Sequence, residues 1–369
     1  MTDVVDLRKA DDRRDIIHRA CELLADGRVV ACATETLYVA FASALNPAGV
    51  SQLLSGSRDP HGILLLKSFD ESRDYVTEMP HVACKLAKRC WPGPLVMTFP
   101  PSLMNGLFCR LPPAVQTAVS GKERRVGIRV AAHDVIAAIQ QLLPGPLVMT
   151  LEDPGLKTAT DAAEKFHGGV DLLIDDGPCR YAAPATTVSI DDGLWQIDAS
   201  GVVSERAITR LASEVYLFVC TGNTCRSPMA EALFRRRLAD RLGCREEELA
   251  DRGHLVVSAG LSAAIGSAAS PEAVELLHAA GIDLTGHASQ PLTERLLNHA
   301  DHVYTMTRRH QSDILSERPD LEHTVQLLSE TGADISDPIG GGRTEYEDCK
   351  QEIERAVDAL LNRLFPSTR

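Results

Sequence analysis

Apolar positions along this chain follow two spacings. Over 12–25 they recur every three or four residues, as they would along one face of a helix. Residues 29–34 form a short apolar run that predicts a buried strand. Similar runs at 63–66, 95–99, 126–130, 146–150, 172–174 and 186–190 predict further strands, and helical spacing predicts helices over 76–89, 134–143 and 158–166. Strands and helices interleaved in this way imply an α/β domain.

A polar stretch at 203–213 suits a helix or linker. Beyond it the pattern starts afresh, with a strand at 215–219, a Gly-containing loop and a helix over 227–242. Strands follow at 255–258 and 302–305, and helices at 271–280, 308–315 and 345–364. That order predicts a parallel, doubly wound sheet of about 155 residues, enough for its own core. The expected partition is 1–205, a joining stretch 206–213, and 214–369, with no internal repeat and no low-complexity tract.

Of the 369 residues, 44% are hydrophobic and 24% charged, which suits a globular protein and argues against long disorder. Aromatics are only 4%, so the cores must be aliphatic. A net charge of -13 repels phosphate backbones and disfavours nucleic-acid binding. Ten scattered cysteines without a C-x-x-C pair suit reduced, buried thiols. With no apolar leader and no long apolar run, the expected compartment is the cytoplasm and no membrane span is expected. No metal-ligand spacing appears, and His287 and His302 are expected to pack or cap. Nothing in the pattern sets an oligomeric state.

The chemistry concentrates in Cys220-Thr221-Gly222-Asn223-Thr224-Cys225-Arg226-Ser227-Pro228, a C-x5-R-S stretch between a predicted strand and a helix. Pro228 falls in the first helical turn, where a missing N–H costs nothing. Gly222 and Asn223 tolerate the dihedrals of an anion nest. Inward backbone N–H groups of Thr221 to Cys225, the helix N-terminus and Arg226 would favour Cys220 as a thiolate nucleophile. The same donors would hold phosphoryl oxygens, Arg226 in a bidentate fork. Ser227 is suited to donate to the sulfur and improve it as a leaving group. A proton for the departing group, and a base for the water that clears a phosphocysteine, point to Asp337 in the Gly-rich Asp337-Pro338-Ile339-Gly340-Gly341-Gly342 loop.

With Ser258-Ala259-Gly260 lying between these motifs, residues 215–365 resemble the low-molecular-weight protein phosphatase family. The resemblance implies a phosphatase without cofactor that acts on a phosphorylated protein, with nucleophile, arginine and acid on Cys220, Arg226 and Asp337. Tyrosine-specific members usually carry Ile or Leu at the position of Thr224, and aromatic residues after Asp-Pro, where this chain has Ile339 and Gly340. The loop is similar to that of bacterial protein-arginine phosphatases, so phosphoarginine is the expected substrate, ahead of phosphotyrosine or another phosphate ester. Arsenate reduction needs relay thiols, and no cysteine lies between Cys244 and Cys349. A protective disulfide between Cys220 and Cys225 is a separate expectation, against a bland role for Cys225 as a small apolar loop residue.

Residues 12–205 resemble the YrdC-type threonylcarbamoyl-adenylate synthase family, with a mixed twisted sheet implied. The echoes are Thr34-Glu35-Thr36-Leu37-Tyr38, Trp91-Pro92-Gly93-Pro94-Leu95, Val126-Gly127-Ile128-Arg129-Val130, and Asp175-Asp176-Gly177-Pro178 with Ala185-Thr186-Thr187-Val188. The family needs cations for the triphosphate of ATP, yet its Lys-x-Arg pair falls on Ser55 and Ser57, with Arg58 one place late. Its Ser-Ala-Asn falls on Leu151-Glu152-Asp153. Its late Arg-x-Gly reads Asp198-Ala199-Ser200-Gly201. The expectation is a degenerate domain that binds a partner or small ligand, with Thr34, Thr36, Arg58 and Arg129 lining its pocket. Three alternatives stay open. The domain is a working synthase in a bifunctional protein for tRNA modification, using ATP. It binds double-stranded RNA, which the acidic charge disfavours. Or the whole chain is a phosphoprotein-binding scaffold without catalysis.

Overall fold

The computed structural model describes residues 2–55 and 60–366. The chain divides into two compact units, Met1–Leu211 and Ala212–Arg369.

The first unit is built on a mixed sheet of ten strands among the described residues. They are β1 (Asp3–Asp6), β2 (Val30–Ala33), β3 (Tyr38–Ser43), β4 (Ile63–Leu65), β5 (Leu95–Phe99), β6 (Val126–Arg129), β7 (Leu147–Met149), β8 (Leu172–Asp175), β9 (Thr186–Asp191) and β10 (Leu194–Ala199). Their order is β1-β8-β2-β3-β7-β4-β6-β5-β9-β10. β2 and β3 pair antiparallel and are buried along their whole length, which explains why Ser43 is the one aliphatic hydroxyl side chain among otherwise apolar or aromatic residues. The helix Arg13–Ala25 starts on Asp12, whose carboxylate accepts from Arg14 N, and it buries Ile16, Ala20 and Leu24 against the sheet side.

Several elements depart from the pattern read in the sequence, and the short helices Pro47–Leu54, Pro113–Ala118 and Glu294–His299 are among those it did not predict. The helix expected over 76–89 runs only from His81 to Cys90, and a separate helix, Phe69–Tyr75, precedes it. Pro80 has no N–H to give and pushes Met79 away from helical dihedrals, so the later helix starts only after it. β1, β3, β10 and, in the second unit, the strand Val325–Leu327 lie outside the expected strands. The hairpin into β10 turns on Asp192 (φ 45°) and Gly193 (φ 80°), both left-handed, and an Asp-Gly pair is a strong local signal for that turn. The stretch expected as helix or linker is the helix Glu205–Ala212, with Ile208 buried and the Arg89 guanidinium on the Leu211 carbonyl (2.7 Å).

The second unit has a four-stranded sheet: β11 (Glu214–Cys220), β12 (His254–Gly260), β13 (His302–Thr305) and β14 (Val325–Leu327), in the order β12-β11-β13-β14 and all parallel. Residues of β11 alternate between two cores. Tyr216 and Phe218 pack with Phe234 and Tyr304 on one face, so this core is partly aromatic and not the aliphatic one expected; Leu217 and Val219 pack with Val303, Ile314 and Val325 on the other. The helices Arg226–Leu242 and Arg343–Leu364 pack together over the first face. Since the chain leaves β11 for β12 on one side and returns to β13 on the other, the carboxyl end of β11 is a topological switch point, the usual place for a ligand crevice. Cys220 is the last residue of β11. Among the described residues no helix is long and apolar enough to cross a membrane.

Candidate active site

The loop after β11 folds around the sulfur of Cys220. Asn223 N donates to Cys220 Sγ at 3.2 Å, and Ser227 Oγ lies 3.0 Å from the same sulfur. Helix Arg226–Leu242 begins immediately beyond, with Arg226, Ser227 and Pro228 buried in its first turn. The left-handed residue of the loop is Asn223 (φ 55°), whereas Gly222 has no positive φ and a Cβ there would meet only Thr224 Oγ1, at 3.6 Å. The expectation that both residues supply unusual dihedrals is therefore corrected: Asn223 alone does. The glycine that the loop cannot lose is Gly260. A Cβ on it would sit 2.6 Å from Thr221 O and 2.9 Å from Asn223 N, both backbone atoms.

The side chain of Asn223 offsets the cost of its strained dihedral. Its Oδ1 accepts from Gln290 N (2.9 Å), which fixes the amide orientation. Its Nδ2 then donates to both Ser227 Oγ (3.0 Å) and Ser258 Oγ (2.8 Å). Ser258 donates its own proton to Glu231 Oε2 at 2.6 Å. Ser227, already an acceptor, has one O–H to give; Cys220 Sγ at 3.0 Å is nearer than Ala259 O at 3.4 Å. The network thus directs a hydroxyl proton at the sulfur. His287 Nε2 meets Asn223 O at 2.8 Å, so it holds the loop backbone rather than merely packing. His302, by contrast, stacks on Tyr216 (5.1 Å).

On the open side, Arg226 is only 4% exposed and its Nη2 donates to Asp337 Oδ2 at 2.5 Å. The Asp337 side chain is 47% exposed, and its Oδ1 accepts from Ile339 N (3.2 Å). Ile339 itself is 61% exposed. Thr224 anchors the loop through its carbonyl, which accepts from Ser270 N (2.9 Å), and its hydroxyl lies 3.6 Å from Cys225 Sγ. Cys225 is buried against Tyr346 OH (3.4 Å). Thr221 Oγ1 pairs with Nε2 of His310 at 2.9 Å, and His310 Nδ1 pairs with Thr307 Oγ1 at 2.9 Å. Burial, and then the Arg226 charge, push His310 below the usual histidine range. Residues 220–227 and Asp337, singled out in the sequence, are together. In the sequence Ser258 stands out only as part of the Ser258-Ala259-Gly260 motif, without a role, and Gln290, His287 and His310 carry no sequence signal for the site, because their contacts with it span 64 to 89 residues.

In the first unit, Thr34, Thr36 and Arg129 also meet, while Arg58 lies outside the described residues. Thr34 Oγ1 is committed to its own turn, donating to Leu37 O (2.8 Å) and accepting from Thr36 N and Leu37 N. Arg129, fully buried, gives Nη1 to Glu152 (2.6 Å) and Nη2 to Glu35 and Thr36 Oγ1 (2.8 Å each). Burial works against the guanidinium charge, but Glu35 and Glu152 more than offset it, and the net direction is upward. A cavity of about 270 Å³ on this unit is lined by His61, Val96, Thr98 and Arg125 among others, not by Thr34, Thr36 or Arg129.

Residues 215–367 match the family described as low molecular weight phosphotyrosine protein phosphatase, and residues 22–198 match the Sua5/YciO/YrdC family described as telomere recombination. The chain is 41% identical over 157 residues to the protein-arginine-phosphatase of Bacillus subtilis (strain 168), covering 42% of this chain and 98% of that relative. It is 38% identical over 149 residues to the probable low molecular weight protein-tyrosine-phosphatase EpsP of Ralstonia nicotianae, covering 40% and 94%. It is 27% identical over 199 residues to the threonylcarbamoyl-AMP synthase of Pyrococcus abyssi, covering 52% of this chain and 55%, about half, of that synthase.

Proposed function

Because the chain belongs, through residues 215–367, to the low molecular weight protein phosphatase family and carries a Sua5/YrdC-type domain over 22–198, we propose that it is a phosphoprotein phosphatase that prefers phosphoarginine. The observation that carries the reading is the cradle of Cys220: its sulfur receives Asn223 N and faces Ser227 Oγ, with Arg226 and Asp337 paired beside it.

In the first step the Cys220 thiolate attacks phosphorus and the bond to the leaving nitrogen or oxygen breaks. Asp337, as the acid, gives that atom its proton. Arg226 and the loop N–H groups hold the equatorial oxygens and stabilise their charge. In the second step Asp337, now a carboxylate, takes a proton from water as the water oxygen attacks phosphorus. The P–S bond breaks, orthophosphate leaves, and the Ser227 hydroxyl stabilises the returning thiolate. No cofactor enters.

Relatives named for arginine and for tyrosine substrates are of similar identity, so the substrate preference rests on the residues at the rim. Thr224 offers a hydroxyl where an aliphatic side chain would offer only apolar surface. Ile339 and Gly340 follow Asp337-Pro338 without an aromatic to stack on a phosphotyrosine ring. Asp337 suits a guanidine group as both proton donor and ion-pair partner.

For the first unit the favoured reading is a binding domain without synthase activity. Ser55 and Ser57 stand where the family has its phosphate cations, and Arg129 is already ion-paired with Glu35 and Glu152. ATP-dependent threonylcarbamoyl-adenylate formation by the full chain would support the bifunctional alternative instead.

The deciding experiment is phosphate release from phosphoarginine and phosphotyrosine peptides by the wild type and by Cys220→Ser. Turnover lost in the variant is expected. Absence of any Cys220-dependent turnover would overturn the enzymatic reading in favour of a phosphoprotein-binding scaffold.

A further inference from the structure

Glu152 is bound as a ligand would be. Its Oε1 accepts from Arg129 Nη1 (2.6 Å) and from the Thr36 hydroxyl; its Oε2 accepts from Ala185 N (2.5 Å). A guanidinium, a hydroxyl and a backbone amide therefore converge on one carboxylate from three separate strands or loops. These are the donor types that proteins use to capture a free carboxylate.

The arrangement is more than a neutralising ion pair. Arg129 already has a partner, since Glu35 Oε1 takes its Nη2 at 2.8 Å and Glu35 Oε2 accepts from Ala132 N (3.1 Å). One cation so faces two carboxylates, all three side chains at most 7% exposed. Arg129 alone would be neutralised by Glu35; the second carboxylate adds net negative charge to a buried site. Burying such a charge is costly unless each of its oxygens is met by a donor. Glu152 meets that condition, and Arg129 Nε remains buried without a partner.

We propose that Arg129, Thr36 and the Ala185 amide form a carboxylate-binding site, and that Glu152 occupies it in cis and closes it to carboxylates from solution. Glu152 lies in the irregular stretch between Met149, the end of β7, and Ala159, the start of the next helix, so its position is set by these contacts rather than by a sheet ladder. The pairing of Arg129 with Glu35 and Glu152 also underlies the reading of this unit as inactive. A synthase assay tests that reading, whereas the experiment below tests only the site.

Glu152→Ala in the full chain removes the internal ligand. Its thermal transition is expected to fall, and acetate is expected to restore it along a saturable curve. Chloride at equal ionic strength should not. The wild type and Glu152→Gln, whose side chain still fills the site, should show no acetate-specific rise. Arg129→Met added to Glu152→Ala should abolish the acetate effect. Equal rescue by chloride, or a folded Glu152→Ala variant indifferent to acetate, would overturn the proposal. If Glu152→Ala does not fold alone, refolding yield in acetate against chloride decides the matter: recovery only in acetate supports the site, and recovery in neither overturns it.

Discussion

Arg226 and Asp337, 111 residues apart, are joined by a 2.5 Å hydrogen bond from Nη2 to Oδ2, with the arginine buried and the aspartate half exposed. The residue proposed to clamp phosphate and the residue proposed to supply the proton thus hold each other. A phosphoryl group must share or displace this contact to gain the guanidinium fork. Asp337→Asn should lower kcat by about 10² to 10⁴, the range for a lost acid/base group. It should also tighten inhibition by inorganic phosphate, because the carboxylate no longer competes for Arg226. Steady-state kinetics with phosphate as inhibitor check both; weaker phosphate inhibition would contradict the competition.

Ser227 has one proton to give, and the Asn223 network aims it at Cys220 Sγ. Loss of that donor should hinder departure of the thiolate more than its attack. Ser227→Ala is expected to cut kcat by roughly 10², as for other single donors to developing charge. Phosphocysteine should accumulate on rapid quench. Slow turnover without accumulation would place the effect on the first step instead.

Thr224 stands at the rim of the cradle, partly exposed. Thr224→Ile should shift the ratio of kcat/KM from phosphoarginine toward phosphotyrosine peptides by about tenfold or more, which is about 1.4 kcal/mol. An unchanged ratio would remove Thr224 from the specificity argument.

Gly260→Ala tests the close approach of β12 to the loop. The new Cβ would overlap Thr221 O and Asn223 N, neither of which is the end of a flexible side chain. A destabilisation of about 1–3 kcal/mol is expected from such overpacking, with kcat falling as the loop shifts. Urea unfolding and activity on the same sample measure it.

His310 gives a pH dependence. Burial comes first and the Arg226 charge second in lowering its pKa, while Asp313, Asp337 and Asp334 pull the other way. A histidine held neutral in the fold contributes stability above its ordinary value of 6.5, and that contribution is lost as pH falls below it, because the unfolded chain binds the proton more readily. Between about pH 7.5 and 5, wild-type stability should therefore decline more steeply than that of His310→Gln. Parallel curves would show that His310 is not coupled to folding.

How much of this is legible in the sequence follows from distance along the chain. The strand, loop and helix around Cys220 are contiguous, so C-x5-R-S in its local setting announces both geometry and chemistry. Asp337 stands out only because its Gly-rich loop lies outside any helical or strand period. β10 escapes the strand pattern although its Asp192-Gly193 turn carries a local signal, and the apolar spacing over 76–89 runs through Pro80 despite the break that proline imposes.

Two α/β units, the C-x5-R-S loop with Arg226 and Ser227, and serine rather than lysine or arginine at Ser55 and Ser57 are all written in residue types at short spacing. Folding was needed to reveal that Asn223, Ser258, Gln290 and His287 set the loop, and that Glu35 and Glu152 both close on Arg129. Those contacts join different strands and loops, and a buried hydrogen bond depends on where the sheet brings its donor and acceptor, which no local pattern of residues encodes.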